Sequence, residues 1–124
     1  MSDKKVILVI DDDPDILDSI KAILGANGFE VETAMSGKEG TEKVKSVNPD
    51  LVLCDMMMER IDAGTKVAQD IRKNNPDMPV FLLSSIGSAT ATNIDIDKLG
   101  FSGVFQKPVD PDNLINVVKD ALGM

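Results

Sequence analysis

Val6-Ile7-Leu8-Val9-Ile10-Asp11-Asp12-Asp13-Pro14 is the stretch that decides the fold. Five apolar residues with no polar alternate suit a strand covered on both faces, as in a parallel sheet with helices above and below it. The acids and the proline then read as a sharp change of element, with Asp13 as a helix N-cap and Pro14 in the first turn. A strand that runs directly into a helix is the first half of a βαβ unit. The same kind of run recurs at Leu51-Val52-Leu53-Cys54 and at Val80-Phe81-Leu82-Leu83. Glu30-Val31-Glu32-Thr33-Ala34, which alternates, and Gly103-Val104-Phe105-Gln106 complete a set of five strands.

Helical spacing fills the intervals. Apolar residues recur at threes and fours in Ile16, Ile20, Ile23 and Leu24, then in Val44 and Val47, then in Val67, Ala68 and Ile71. A last helix from about Asp110 places Leu114, Ile115, Val118 and Leu122 on one side, with Asp110-Pro111 repeating the cap-and-proline start. Gly25 or Gly28, and Gly123, mark helix ends. The segment from Gly87 to Leu99, rich in Thr, Asn and Asp, is the poorest helix and is expected to be the most mobile element. Strand and helix alternate five times, and right-handed crossovers turn that order into a doubly wound α/β sandwich. In such sheets ligands sit beyond the carboxyl ends of the strands, where the strand order reverses.

Composition narrows the chemistry. A chain of 124 residues leaves room for one domain over 1–124 and buries roughly 65–70% of its unfolded surface, enough for a core without disulfide staples. Asp and Glu number 21 against 13 Lys and Arg, and the net charge of -8 argues against direct binding of nucleic acid. There is no histidine and one cysteine, Cys54, which removes His-based triads, zinc centres and internal disulfides. The five-residue apolar run near the N-terminus is too short for a signal-peptide core or a membrane span, so a cytoplasmic protein without membrane attachment is expected.

The strand ends carry the remaining polar signals. One acid satisfies a helix N-terminus, whereas three adjacent carboxylates repel one another unless a cation compensates. Asp55 follows the third strand and should emerge at the same edge as Asp11 and Asp12, giving a hard oxygen site suited to magnesium. Ser84-Ser85 ends the fourth strand and Lys107-Pro108 follows the fifth. Each has a plain reading, as a turn residue or a solvated lysine. Beside a phosphoryl group, the hydroxyl becomes a donor and the ammonium a counter-charge. Cys54 points into the sheet packing and reads as a buried structural thiol, and Met56, Met57 and Met58 as core filler and loop cover.

The order Asp-Asp, Asp, Ser, Lys-Pro at successive strand ends resembles the receiver domain of two-component response regulators, and the resemblance runs from Val6 to Leu122. It implies a flavodoxin-like (βα)5 fold with parallel strand order 2-1-3-4-5, the order the chemotaxis regulator illustrates in general accounts of these sheets. It further implies Asp55 as phosphoacceptor, with Asp12 as chief ligand of Mg2+ (or Mn2+) and Asp11 and the Met57 carbonyl assisting. Ser84 and Lys107 would hold the phosphoryl group with the Ser85 backbone, and the Lys107-Pro108 bond would be cis. The implied partners are a sensor histidine kinase or phosphotransfer protein, a downstream protein or output domain, and a second copy in a phosphorylation-dependent dimer. The implied activity is that of a switch acting on its own side chain, not a conventional enzyme.

The chain departs from the family in three places. Val104 stands where an aromatic often rotates inward, and strand alternation turns the neighbouring Phe105 to the opposite face. Glu59 replaces a familiar proline, and Arg60 to Gly64 carries an extra residue. Met57 and Ile86, which flank the water approach in the family, are both apolar here, and slow self-dephosphorylation follows as an expectation. Three competing readings fit less well. A haloacid-dehalogenase-type phosphohydrolase with Asp11 as nucleophile and Asp13 as acid needs a threonine soon after, and Pro14-Asp15-Ile16 does not supply it. A flavodoxin needs a phosphate loop that three aspartates would repel. A constitutive partner-binding module leaves the full acceptor site without a purpose.

Overall fold

The computed structural model describes residues 4–55, 73, 78–84, 102–106 and 109–123, with backbone alone at 84, 104 and 106. Five strands, β1 (Val6–Ile10), β2 (Glu30–Ala34), β3 (Leu51–Asp55), β4 (Val80–Ser84) and β5 (Gly103–Gln106), form one parallel sheet in the order β2-β1-β3-β4-β5. Three helices lie among the described residues: α1 (Pro14–Ala26), α2 (Gly37–Val47) and α3 (Pro111–Ala121). The expected helix around Val67 to Ile71 and the segment Gly87 to Leu99 lie outside the described residues.

The two faces of the sheet divide as strand alternation requires. Leu8, Ile10, Val52, Cys54, Val80 and Leu82 join Ala34, Met78 and Val44 of α2 in one cluster. Ile7, Val9, Leu51, Leu53, Phe81, Leu83 and Phe105 join Leu17, Ile20 and Leu24 of α1 and Leu114 and Val118 of α3 in the other. Helices therefore cover both sides of the sheet. Each fully buried aliphatic side chain contributes about 1.5–3 kcal/mol relative to exposure, so this double layer dominates stability. Phe81 and Phe105 meet with ring centroids 5.4 Å apart, which places Phe105 on the α1/α3 side.

Local chemistry sets the ends of the helices. Asp13 is extended (φ -95°, ψ 109°), as a residue before proline must be, and its Oδ1 accepts from Asp15 N at 2.9 Å. Asp110 does the same for α3, accepting from Asn113 N at 2.9 Å. Ser36 caps α2 through its Oγ to Glu39 N, while Glu39 reaches back to Met35 N, a capping box displaced by one residue. Of the two glycines that could end α1, it is Gly28 (φ +89°) that does so, with Gly25 inside the helix. Gly123 (φ +71°) follows α3. On the opposite rim from the acids, Asp50 Oδ2 accepts from Val6 N at 2.8 Å and Asp50 N donates to Val6 O at 2.7 Å, clamping the start of β1.

Candidate functional site

Register brings the acids together. Ile10 pairs with Cys54 across β1 and β3, so Asp11 and Asp55 each stand one residue further along neighbouring parallel strands. Both continue the α1/α3-facing series, after Ile7 and Val9 in one strand and Leu51 and Leu53 in the other. Asp11 is 0% exposed and Asp55 4%, the two buried charged side chains among the described residues. Asp12, one residue beyond, is exposed.

Asp11 is fixed by its surroundings. Its backbone N–H donates to Ala34 O at 3.0 Å, extending the β1-β2 ladder past the strand, and its Oδ1 accepts from Asp13 N at 2.9 Å. Asp13 N–H in this way ties the buried acid to the N-cap of α1. This positioning bond is absent from the sequence reading, although an aspartate two residues before an N–H at a strand-helix turn is a recognisable signal for it.

One oxygen each from Asp11, Asp12 and Asp55 lie within 4.8 Å of one another. Octahedral Mg2+ with bonds of 2.0–2.1 Å spaces its oxygens about 3 Å apart when adjacent and about 4.2 Å when opposite, so the three acids need to close by little to share one ion. All-oxygen donors, two buried and one open to water, match an ion that keeps part of its hydration shell. The donor set fits magnesium.

Cys54 lies on the other face, packed with Leu8, Ile10, Val52 and Leu82. Burial, reinforced by the charges of Asp55 and Asp11, pushes its thiol up to about 12, so it is protonated and inert at neutral pH. Ser84 ends β4, one residue past the Leu83 that pairs with Asp55, and stands opposite Gln106. Met57, Ser85, Ile86, Lys107 and Pro108, with Glu59 and Arg60 to Gly64, lie outside the described residues. No helix among the described residues is long and apolar enough to cross a membrane.

Residues 7–119 match the family model of the response regulator receiver domain. The chain belongs to that family. It is 35% identical over 116 residues to the transcriptional regulatory protein GlrR of Escherichia coli, covering 94% of this chain and 26% of that protein. It is 33% identical over 109 residues to the response regulator MprA of Mycolicibacterium vanbaalenii, covering 88% of this chain and 46% of that protein. The chain thus spans about a quarter to a half of these relatives. Among solved structures, the receiver domain of NtrX from Brucella abortus superposes with a TM-score of 0.85 at 32% identity, over 95% of this chain and 98% of that one. A CheY-like receiver domain protein from Methanospirillum hungatei gives 0.86 at 32% identity, over 97% and 94%. As a receiver domain of two-component response regulators, the chain is a regulatory switch.

Proposed function

We propose that the 124 residues act as one receiver unit that accepts a phosphoryl group on Asp55 from a sensor histidine kinase or phosphotransfer protein. The observation that carries this reading is the approach of Asp11, Asp12 and Asp55 within 4.8 Å at the carboxyl edge of a receiver sheet. Asp12 and Asp11, with the Met57 carbonyl, would hold Mg2+ (or Mn2+) against Asp55. Bound there, the ion supplies positive charge against the oxygens of a phosphoryl group, as in other phosphoryl transfers.

The chain's own residues do the rest. A carboxylate oxygen of Asp55 attacks phosphorus in line, the P–N bond of the phosphohistidine breaks, and the departing imidazole keeps the electron pair and takes up a proton. Asp11, held by Asp13 N and by burial, keeps the acids in place during transfer. Ser84, the Ser85 backbone and Lys107 would bind the phosphoryl oxygens of the product, and the Lys107-Pro108 bond would be cis. Water attack on the same phosphorus restores Asp55. The apolar Met57 and Ile86 do not orient that water, so the reset is slow.

Contacts made only with the phosphorylated site shift the domain between two conformations, and a shift from 1:99 to 99:1 requires about 5.5 kcal/mol of differential interaction. The partners are then a kinase upstream and an output protein or domain downstream, with a phosphorylation-dependent dimer as one form of output and the cytoplasm as the compartment. Acetyl phosphate with Mg2+, read by intact mass, tests the proposal. One phosphoryl group should appear on the wild-type chain, vanish when Mg2+ is chelated, and be absent from Asp55→Asn. Equal labelling of Asp55→Asn, or continuous turnover of acetyl phosphate with no modified chain, overturns it.

A further inference from the structure

The turn that closes α1 combines a reactive sequence with a structure that restrains it. The chain has seven asparagines, and Asn27 alone is followed by glycine. Asn48 and Asn75 precede prolines, whose nitrogen has no proton to lose, Asn74 precedes Asn75, and Asn93, Asn113 and Asn116 precede bulky Ile, Leu and Val. Asn27 and Gly28 are both exposed. We propose that Asn27-Gly28 is a site of spontaneous deamidation and isomerisation, gated by opening of the last turn of α1.

The chemistry needs only water. The Gly28 backbone nitrogen loses its proton to base and attacks Cγ of Asn27. The Cγ–Nδ2 bond breaks, Nδ2 departs as ammonia, and a five-membered succinimide remains. Water opens that ring at either carbonyl, leaving aspartate or isoaspartate at position 27.

The folded turn opposes each part of this. Asn27 Nδ2 donates to Ile23 O at 2.9 Å. The attacking nitrogen, Gly28 N, donates to Gly25 O at 3.3 Å, and Phe29 N donates to Leu24 O at 3.1 Å. With Asn27 as C-cap and Gly28 at φ +89°, these two bonds form a Schellman motif, and its apolar pair, Leu24 and Phe29, is buried in one cluster. Asn27 has ψ 19°. In an L-residue the next nitrogen comes level with Cβ at ψ of about -120°, so ψ must turn by roughly 140° before Gly28 N can reach Cγ. That rotation breaks both bonds of the motif. The reaction therefore proceeds from the opened turn, at a rate set by how often the helix end frays.

The product does not restore the cap. A carboxylate at position 27 meets the Ile23 carbonyl as a second acceptor at the negative end of the helix dipole, and the last turn of α1 has no basic residue to offset it. Isoaspartate adds a methylene to the backbone between Leu24 and Phe29, which the core holds in place.

The test incubates the full chain in mildly alkaline buffer, folded and in guanidinium chloride, and follows it by intact mass, peptide mapping and isoaspartyl methyltransferase labelling. The expected result is the mass gain of NH2 replaced by OH, confined to the Asn27 peptide and split between two isomers. The folded chain should react slower than the unfolded one by about tenfold or more, as for other chemistry that requires local opening. Asn27→Gln should abolish the methyl-accepting product, and Asn27→Asp should lower the melting temperature. Deamidation spread evenly over the other asparagines overturns the site. Equal rates in the folded and unfolded chain overturn the gate.

Discussion

Replacing Asp55 by asparagine should make the metal-free protein more stable while removing most of its response to magnesium. Asp11 and Asp55 are buried side by side, with ligand oxygens within 4.8 Å. Two unit charges at that distance repel by about 3 kcal/mol at an effective dielectric near 20, and exposed Asp12 adds a smaller, screened amount. The amide keeps the shape of the side chain and removes one charge. Because favourable contacts of the Asp55 carboxylate are lost as well, the expected gain is roughly 1–2 kcal/mol, which for a domain of this size raises Tm by about 4–8 °C. Magnesium at a hundred times its Kd should stabilise the wild type by about 2.7 kcal/mol and the variant by much less, so the difference between them narrows or reverses. The chain has neither Trp nor Tyr. Unfolding is therefore followed by far-UV circular dichroism in urea, with EDTA or MgCl2 and with NaCl at matched ionic strength to separate binding from screening. An Asp55→Asn variant less stable than wild type in EDTA, or one that magnesium stabilises equally, would refute the reasoning.

Three further outcomes follow from the packing. In Gly40→Ala the new Cβ would fall on Ile10 Cδ1 and lie 2.8 Å from Cγ1. The helix-propensity gain of about 1 kcal/mol is then outweighed by overpacking of about 1–3 kcal/mol, and urea midpoints should show a net loss that Ile10→Val in the same chain relieves. Cys54 holds its proton up to about 12 in the fold against an ordinary thiol value of 9.0, so stability is intact below pH 9 and falls as pH rises from there to about 12; Cys54→Ala should lose that alkaline slope in melts across the range. Asp50→Ala removes the acceptor of Val6 N and should cost about 1–2 kcal/mol by urea unfolding, whereas Asp50→Asn, which can still accept, should lose less.

Much of the fold is legible because it rests on contiguous apolar runs and on capping residues. β1, β2 and β5 begin and end where the sequence pattern places them. β3 and β4 each run one residue further, since Asp55 and Ser84 still pair, with Leu83 and Gln106. A polar residue that ends an apolar run can remain part of the ladder, because pairing is a property of the backbone. On α1 the periodicity points to Ile16, Ile20, Ile23 and Leu24, yet the helix buries Leu17, Ile20 and Leu24 and leaves Ile16 and Ile23 at the margin. An apolar stripe this wide permits several rotations of the helix, and the choice among them is made by the sheet and α3. Gly40 carries no sequence signal at all, although its missing side chain is what lets α2 approach Ile10. In the site, the meeting of Asp11, Asp12 and Asp55 was inferable from strand order, but the bond from Asp13 N to Asp11 Oδ1 depends on the turn geometry.

The position of the acids also explains why the sheet around them is so uniformly apolar. Every residue of β3 before Asp55, and Ile7 to Ile10 of β1, is fully buried. Two neighbouring strands that end in adjacent buried carboxylates carry an electrostatic penalty at one rim, and the aliphatic ladders behind them must exceed it for the edge to stay folded. The penalty is useful for the same reason that it is unfavourable. A cation binds most strongly where negative charge is already fixed and partly dehydrated, so the repulsion that weakens the metal-free sheet becomes affinity when the ion arrives. Substitutions selected for stability alone should therefore accumulate at the buried pair, Asp11 and Asp55, and each should weaken magnesium binding.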